Sequence, residues 1–293
     1  MTGNGAREVL AIRYCTRATN RAENYLNQHL YGEPNTDIQM DYYFWVIRDG
    51  ARTTLVDTGF SPAAGDRRRR TWWTTPADAL PTVGIDPASV DVIVVTHAHW
   101  DHTGNVHQFP QAQIVISQAE YDFWTSPMAR RSQFVTHAEA DEIAYLQRAD
   151  AEGRLTLIAG QHTLADDIEL IEVGGHTPGQ LVVSVPTATG TVVLASDAVH
   201  FYEEVERDRP FAIVADLPAM YRAYDLLADL AAQPGARLIA GHDPLVRTRF
   251  AQHPANPDVT DLAGTAGAAG TAATEATGLR WHRPRRCPRF AGS

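Results

Sequence analysis

Thr96-His97-Ala98-His99-Trp100-Asp101-His102 places three imidazoles and a carboxylate within six residues, directly behind the β-branched run Asp91-Val92-Ile93-Val94-Val95. A compact apolar run of that kind predicts a buried strand, so the cluster falls on a loop at a strand end. Imidazole and carboxylate both suit zinc and related divalent metals. On an extended backbone His97, His99 and Asp101 point one way, and a turn at Asp101-His102 splits the donors into two sets that can feed adjacent metals. The competing reading is a solvated polar loop, and this density of donors behind an apolar strand argues against it.

Upstream, Val9 to Tyr14, Met40 to Ile47 and Thr53 to Val56 are rich in β-branched and aromatic residues and read as strands. The last of these exits through Asp57-Thr58-Gly59, a turn signal. Downstream, Ile114 to Ile116 reads as a strand, and Gln118 to about Arg148 as helices broken near Pro127. Four further strands follow at Leu155 to Ile158, Ile168 to Val173, Leu181 to Val185 and Thr191 to Ala195. A helix over Pro218 to Ala232 and a strand over Arg237 to Ala240 complete the pattern. Without regular βαβ alternation, this order predicts layered sheets flanked by helices, an αββα sandwich of two mixed sheets in the α/β class. From about Pro254, Ala, Gly and Thr dominate. The expected organisation is one globular domain over 1–253 and a low-complexity tail over 254–293, too poor in apolar residues to offset chain entropy.

Composition narrows the function. Hydrophobic residues at 44% and charged residues at 20% fit a soluble enzyme. No apolar run approaches the roughly 20 residues of a membrane helix, and Met1 to Cys15 lacks a secretory pattern, so a cytoplasmic location and no membrane partner are expected. Cys15 and Cys287 are the only cysteines, which leaves His and carboxylates to build any metal site. A formal charge of −10 argues against nucleic acid as a partner. Arg67 to Arg70 reads as a solvated loop, and the basic stretch Arg280 to Arg289 has nothing aromatic or helical to organise it.

Three more donors stand behind apolar runs: His176 in Gly-Gly-His-Thr-Pro-Gly, Asp197 in Ala-Ser-Asp-Ala and His242 in Ala-Gly-His-Asp. Singly, each is an ordinary loop residue. Recurring at strand ends, they would converge on one site.

The set His97-x-His99-x-Asp101-His102, then His176, Asp197 and His242, resembles the metallo-β-lactamase superfamily over roughly residues 8 to 250. The resemblance implies one metal held by His97, His99 and His176, another by Asp101, His102 and His242, and Asp197 bridging both. Two Zn2+ ions are the expected cofactors, with Mn, Co or Fe as alternatives. Asp57 would orient a ligand imidazole, although a plain turn-forming aspartate fits Asp57-Thr58-Gly59 equally well. Adjacent metals lower the pKa of a bridging water, so the implied chemistry is hydrolysis.

The run from Ser196 to Glu204, with Arg209-Pro210-Phe211-Ala212 and Gly241-His242-Asp243, resembles N-acyl-homoserine lactonases, which implies opening of a lactone and quenching of quorum signals. Two departures stand out. His200 occupies the place of a tyrosine donor, and Gln180 replaces a common histidine at a position that is not a ligand. In the expected reaction the lactone carbonyl binds beside Asp101, His102 and His242, and bridging hydroxide attacks. His200, or alternatively Tyr202, steadies the oxyanion, and Asp197 or a metal-bound water returns a proton to the leaving alkoxide. Of Phe60, Trp72, Trp73, Tyr121, Phe123 and Trp124, one or two are expected to wall the substrate pocket. Competing activities are a glyoxalase II-like thioesterase and a β-lactamase. A non-enzymatic binding module is disfavoured by the full ligand set, and oligomeric state is left open.

Overall fold

The computed structural model describes residues 7–164 and 167–264. Its longest strands, β1 (Glu8–Asn20) and β2 (Asp37–Asp49), pair antiparallel and carry apolar side chains on both faces. Because side chains alternate across a strand, such runs require burial on both sides. Accordingly Leu10, Ile12, Tyr14, Tyr42, Phe44 and Val46 enter one core, while Val9, Ala11, Tyr43, Trp45 and Ile47 enter another.

The same sheet continues through β3 (Arg52–Val56), β4 (Thr71–Trp72), β5 (Val92–Val94), β6 (Gln113–Ser117) and β7 (Leu155–Ile158). Strands β3, β5, β6 and β7 run parallel to one another, and β4 pairs with β1. The second sheet comprises β8 (Gln161–Leu164), β9 (Ile168–Glu172), β10 (Leu181–Thr187), β11 (Gly190–Ser196) and β12 (Arg237–Ala240), with only the β11–β12 pair parallel. One core joins the two sheets and takes Met220, Tyr224 and Leu227 from the helix Leu217–Ala231. The other takes Trp124 from the helix Gln118–Thr125 and Leu146 from the helix Ala140–Ala151. These layers form the predicted αββα sandwich. The predicted break near Pro127 is a 3-10 turn, Pro127–Arg130.

The domain boundary expected after residue 253 falls inside the fold. A hairpin of β13 (Ala251–His253) and β14 (Asn256–Asp261) joins the first sheet, with Leu10, Ala11 and Ile12 of β1 opposite Asp261, Thr260 and Val259. Composition misses it because Val259 and Leu262 are its few large apolar residues; both are fully buried. The remaining stabilisation comes from the edge of β1 and from Arg13, whose Nη2 lies 2.5 Å from Asp258 Oδ1. Residues 265–293, with Cys287 and Arg280 to Arg289, lie outside the described residues. Among the described residues no helix is long and apolar enough to cross a membrane.

Candidate metal centre

Every candidate donor sits just beyond a strand end or in a turn between strands. Asp57 follows β3, His97 to His102 follow β5, His176 lies between β9 and β10, Asp197 follows β11 and His242 follows β12. Ligand sites in open α/β sheets form in this way, outside the carboxyl ends of strands. Two sharp exits depend on left-handed backbone at non-glycine residues, Asp57 (φ 62°) and Ser196 (φ 46°). Such strain persists only where surrounding contacts fix it. Here Thr96 N–H and Oγ1–H donate to the two Asp57 oxygens at 2.8 Å each, and Thr96 Oγ1 lies 2.9 Å from Ser196 Oγ. Gly241 completes the packing: a Cβ there would stand 2.6 Å from the Ser196 carbonyl and 3.0 Å from Asp197 Oδ1.

The seven predicted metal donors come together. Ligand atoms of His97, His99, His176 and Asp197 lie within 4.8 Å of one another, as do those of Asp101, His102 and His242. Asp197 faces both sets. Its Oδ2 is 3.7 Å from His97 Nε2 and 3.4 Å from His176 Nε2, while its Oδ1 is 3.3 Å from His102 Nε2 and 3.1 Å from His242 Nε2. His97 Nε2, His102 Nε2, His242 Nε2 and Asp197 Oδ1 are buried without a hydrogen-bond partner. Buried polar atoms are normally paired, so a converging group of orphans calls for a cation, and this donor set fits divalent metals.

The outer ring nitrogens are held. His176 Nδ1 lies 2.9 Å from the Ile213 carbonyl, His242 Nδ1 2.8 Å from the Asp41 carbonyl and His102 Nδ1 2.7 Å from Asp57 Oδ2. A proton on each Nδ1 leaves the Nε2 lone pair aimed inward, the arrangement a metal-binding histidine needs. Burial, reinforced by neighbouring imidazoles, holds His97, His99 and His176 well below the ordinary histidine range, so these rings are neutral. Burial opposes charge on Asp197 too, but His200, His102 and His242 outweigh it and keep its carboxylate well below the usual range. The centre therefore pairs neutral rings at His97, His99 and His176 with an ionised carboxylate, while at His102 burial opposes the charged form but Asp197, Asp57 and Asp101 outweigh it and hold the ring well above the ordinary histidine range.

His200 joins this cluster. Its Nε2 lies 3.0 Å from Asp197 Oδ2, its Nδ1 3.4 Å from Glu204 Oε1, and its ring stacks on Phe211 at 3.6 Å. Burial disfavours its charged form, yet Asp197 and Glu204 push its pKa up to about 9. Glu204 is fixed in turn by the His200 and Phe201 N–H groups and by Tyr224 OH. The sequence reading overlooked Glu204, because with Phe201 in place of Ser or Thr at the N-cap the capping-box pattern is incomplete, and only its reciprocal half forms, Glu204 accepting from Phe201 N–H.

Tyr202 is not brought to His200. It starts the helix Tyr202–Arg207, where successive side chains turn by about 100° instead of alternating. Its contacts are Arg249, 3.8 Å over its ring, and Asp243, which accepts its N–H. Gln180 is buried and donates to the Leu181 carbonyl. The Arg67 to Arg70 stretch is not a free solvated loop: Arg67 and Arg68 bridge to Glu139, Arg68 lies 4.3 Å over Trp100, and Arg70 donates to Tyr42 OH. Glu139 and Trp100 arrive from distant parts of the chain, so local charge could not reveal them.

A cavity of about 300 Å³ borders His99 and His176. Phe123, Trp124, Phe134, Ile213 and Val214 supply apolar walls, with Gln133 and His137 among its polar groups. Of the six aromatics considered from sequence, Phe123 and Trp124 line it. Phe60 stacks on Trp100 in the core, Trp72 donates to Asp66, Trp73 lies against Arg13, and Tyr121 donates to Asp150.

Known proteins resemble this chain in sequence and in fold. The N-acyl homoserine lactonase AttM of Azorhizobium caulinodans is 24% identical over 248 residues, covering 74% of this chain and 88% of that protein. AttM of Agrobacterium fabrum is 24% identical over 235 residues, with the same coverage of 74% and 88%. A solved N-acyl homoserine lactone hydrolase with bound N-hexanoyl-L-homoserine superposes with a TM-score of 0.67 at 19% identity, covering 82% of this chain and 94% of that one. AidC, a dizinc quorum-quenching lactonase, superposes with a TM-score of 0.65 at 18% identity, covering 90% and 96%. The sequence profile of the metallo-beta-lactamase superfamily matches residues 41–242, and the chain belongs to that superfamily.

Proposed function

We propose that this protein is a zinc-dependent lactone hydrolase whose leading substrates are N-acyl homoserine lactones. The observation that carries the reading is Asp197 set between two donor groups, one of which borders an apolar cavity. Relatives named as N-acyl homoserine lactonases, matched over most of their length, support the choice of ring.

His97, His99 and His176 would hold one cation and Asp101, His102 and His242 the other, with Asp197 between the two sets. When bound, such a pair supplies Lewis acidity and a water acidified toward neutral pH. The protein residues position everything else. Asp57 and the Ile213 and Asp41 carbonyls keep the ligand rings in their working tautomers. The cavity takes the acyl chain, which excludes water from the carbonyl. His200, held between Phe211, Glu204 and Asp197, presents Nε2–H to the developing oxyanion. Water adds OH to the carbonyl carbon as the ring C–O bond breaks, and the proton that water releases passes by way of Asp197 to the leaving alkoxide, giving the hydroxy acid. Replacing His200 with Phe at verified metal content tests this role; turnover equal to the wild type would remove His200 from the reaction.

A further inference from the structure

Glu120 lies in the helix Gln118–Thr125, outside the donor set of the metal centre, and its side chain is fully buried. Its Oε1 accepts from Ala98 N–H at 2.9 Å and from Trp124 Nε1–H at 2.6 Å, while its Oε2 accepts from Gly179 N–H at 2.9 Å. Ala98 is the residue between His97 and His99, and Gly179 lies three residues beyond His176. A single carboxylate thus ties together two ligand loops that leave different sheets. The fit is close, since a Cβ on Gly179 would stand 2.3 Å from Glu120 N.

Among the described residues no cation bridges Glu120, so the carboxylate is buried against neutral donors alone. Burying it that way is costly and needs a use for an acceptor-only group. Glutamine would have to turn its NH2 toward one of the two backbone donors. We propose that Glu120 is a positioning residue that sets the separation of the His97-His99 loop and the His176 loop, and with it the affinity of the first metal position. The inference rests on the ligand assignment above but not on the choice of substrate.

The test compares metal-free wild type, Glu120→Gln and Glu120→Asp. Zinc affinity is measured by competition with a chromophoric chelator, the cobalt(II) absorption spectrum reports ligand geometry, and thermal unfolding of the metal-free chains reports fold stability. The expected result for Glu120→Gln is zinc affinity lower by about 10-fold or more with a changed cobalt spectrum, matching the usual effect of groups that orient metal ligands. Glu120→Asp, which keeps two acceptors on a shorter arm, should fall between the two. Wild-type zinc affinity and cobalt spectrum in both variants, with only the metal-free melting temperature lowered, would overturn the proposal and leave Glu120 a fold residue. Should Glu120→Gln fail to fold, wild-type affinity and spectrum in Glu120→Asp would overturn it equally. A wild-type chain that binds no zinc would overturn the ligand assignment itself, and this inference with it.

Discussion

Asp57 Oδ2 lies 2.7 Å from His102 Nδ1, and both side chains are buried. The same carboxylate also receives Thr96 N–H and Thr96 Oγ1–H, so its acceptor sites meet donors on more than one side. Asp57→Asn tolerates the left-handed backbone but turns an NH2 toward one of those donors. Zinc affinity should fall by about 10-fold or more, as measured by chelator competition. Unchanged affinity would reduce Asp57 to a turn residue.

His200 gives a prediction on rate. Loss of an oxyanion donor costs about 100- to 1000-fold in kcat. His200→Phe should show a loss of that order with KM little changed and both metals retained. A variant that instead loses metal would place His200 among the groups that hold Asp197.

Glu142 links fold stability to pH. Burial pushes its pKa from 4.5 to about 8, and only one of its oxygens, Oε2, receives a hydrogen bond, from Thr103 Oγ1 at 2.8 Å. The folded chain therefore keeps a proton that the unfolded chain releases above about 4.5. The stabilising contribution is complete below that pH and is lost as pH rises toward 8. Glu142→Gln should remove this decline, so that its melting temperature, relative to wild type, climbs between about pH 5 and pH 8. A constant difference across that range would contradict the buried, protonated carboxylate.

Phe134 walls the cavity beside His99 and packs edge-on to Phe123 at 5.0 Å. Phe134→Ala should raise KM for medium-chain acyl lactones by about tenfold, since each lost methylene-sized contact costs about 1–3 kcal/mol. Short-chain substrates should change less. Equal effects on every chain length would place the acyl group elsewhere.

Much of the centre was legible because its chemistry requires scarce residue types in unusual places. His97, His99, Asp101, His102, His176, Asp197 and His242 each follow apolar runs, and strand ends of one sandwich bring such residues together. The strands of the two cores were legible for a similar reason, since apolar runs such as Tyr42 to Ile47 fit only a sheet covered on both faces. What escaped depends on partners distant in sequence. Tyr202 looked like a companion of His200 until a helix began beneath it. The β13–β14 hairpin exists because β1 offers an edge to pair with. Glu120 was not singled out in the sequence, because Ala98 and Gly179 reach it through backbone donors that carry no sequence signature.

The most direct test incubates purified protein of measured metal content with a panel of lactones, thioesters and β-lactams, following proton release with a pH indicator. The account predicts two metals per chain and lactone turnover above every thioester and β-lactam, abolished by a chelator and restored by zinc. Thioester or β-lactam turnover exceeding that of every lactone, or undiminished lactone turnover in metal-free protein, would contradict it.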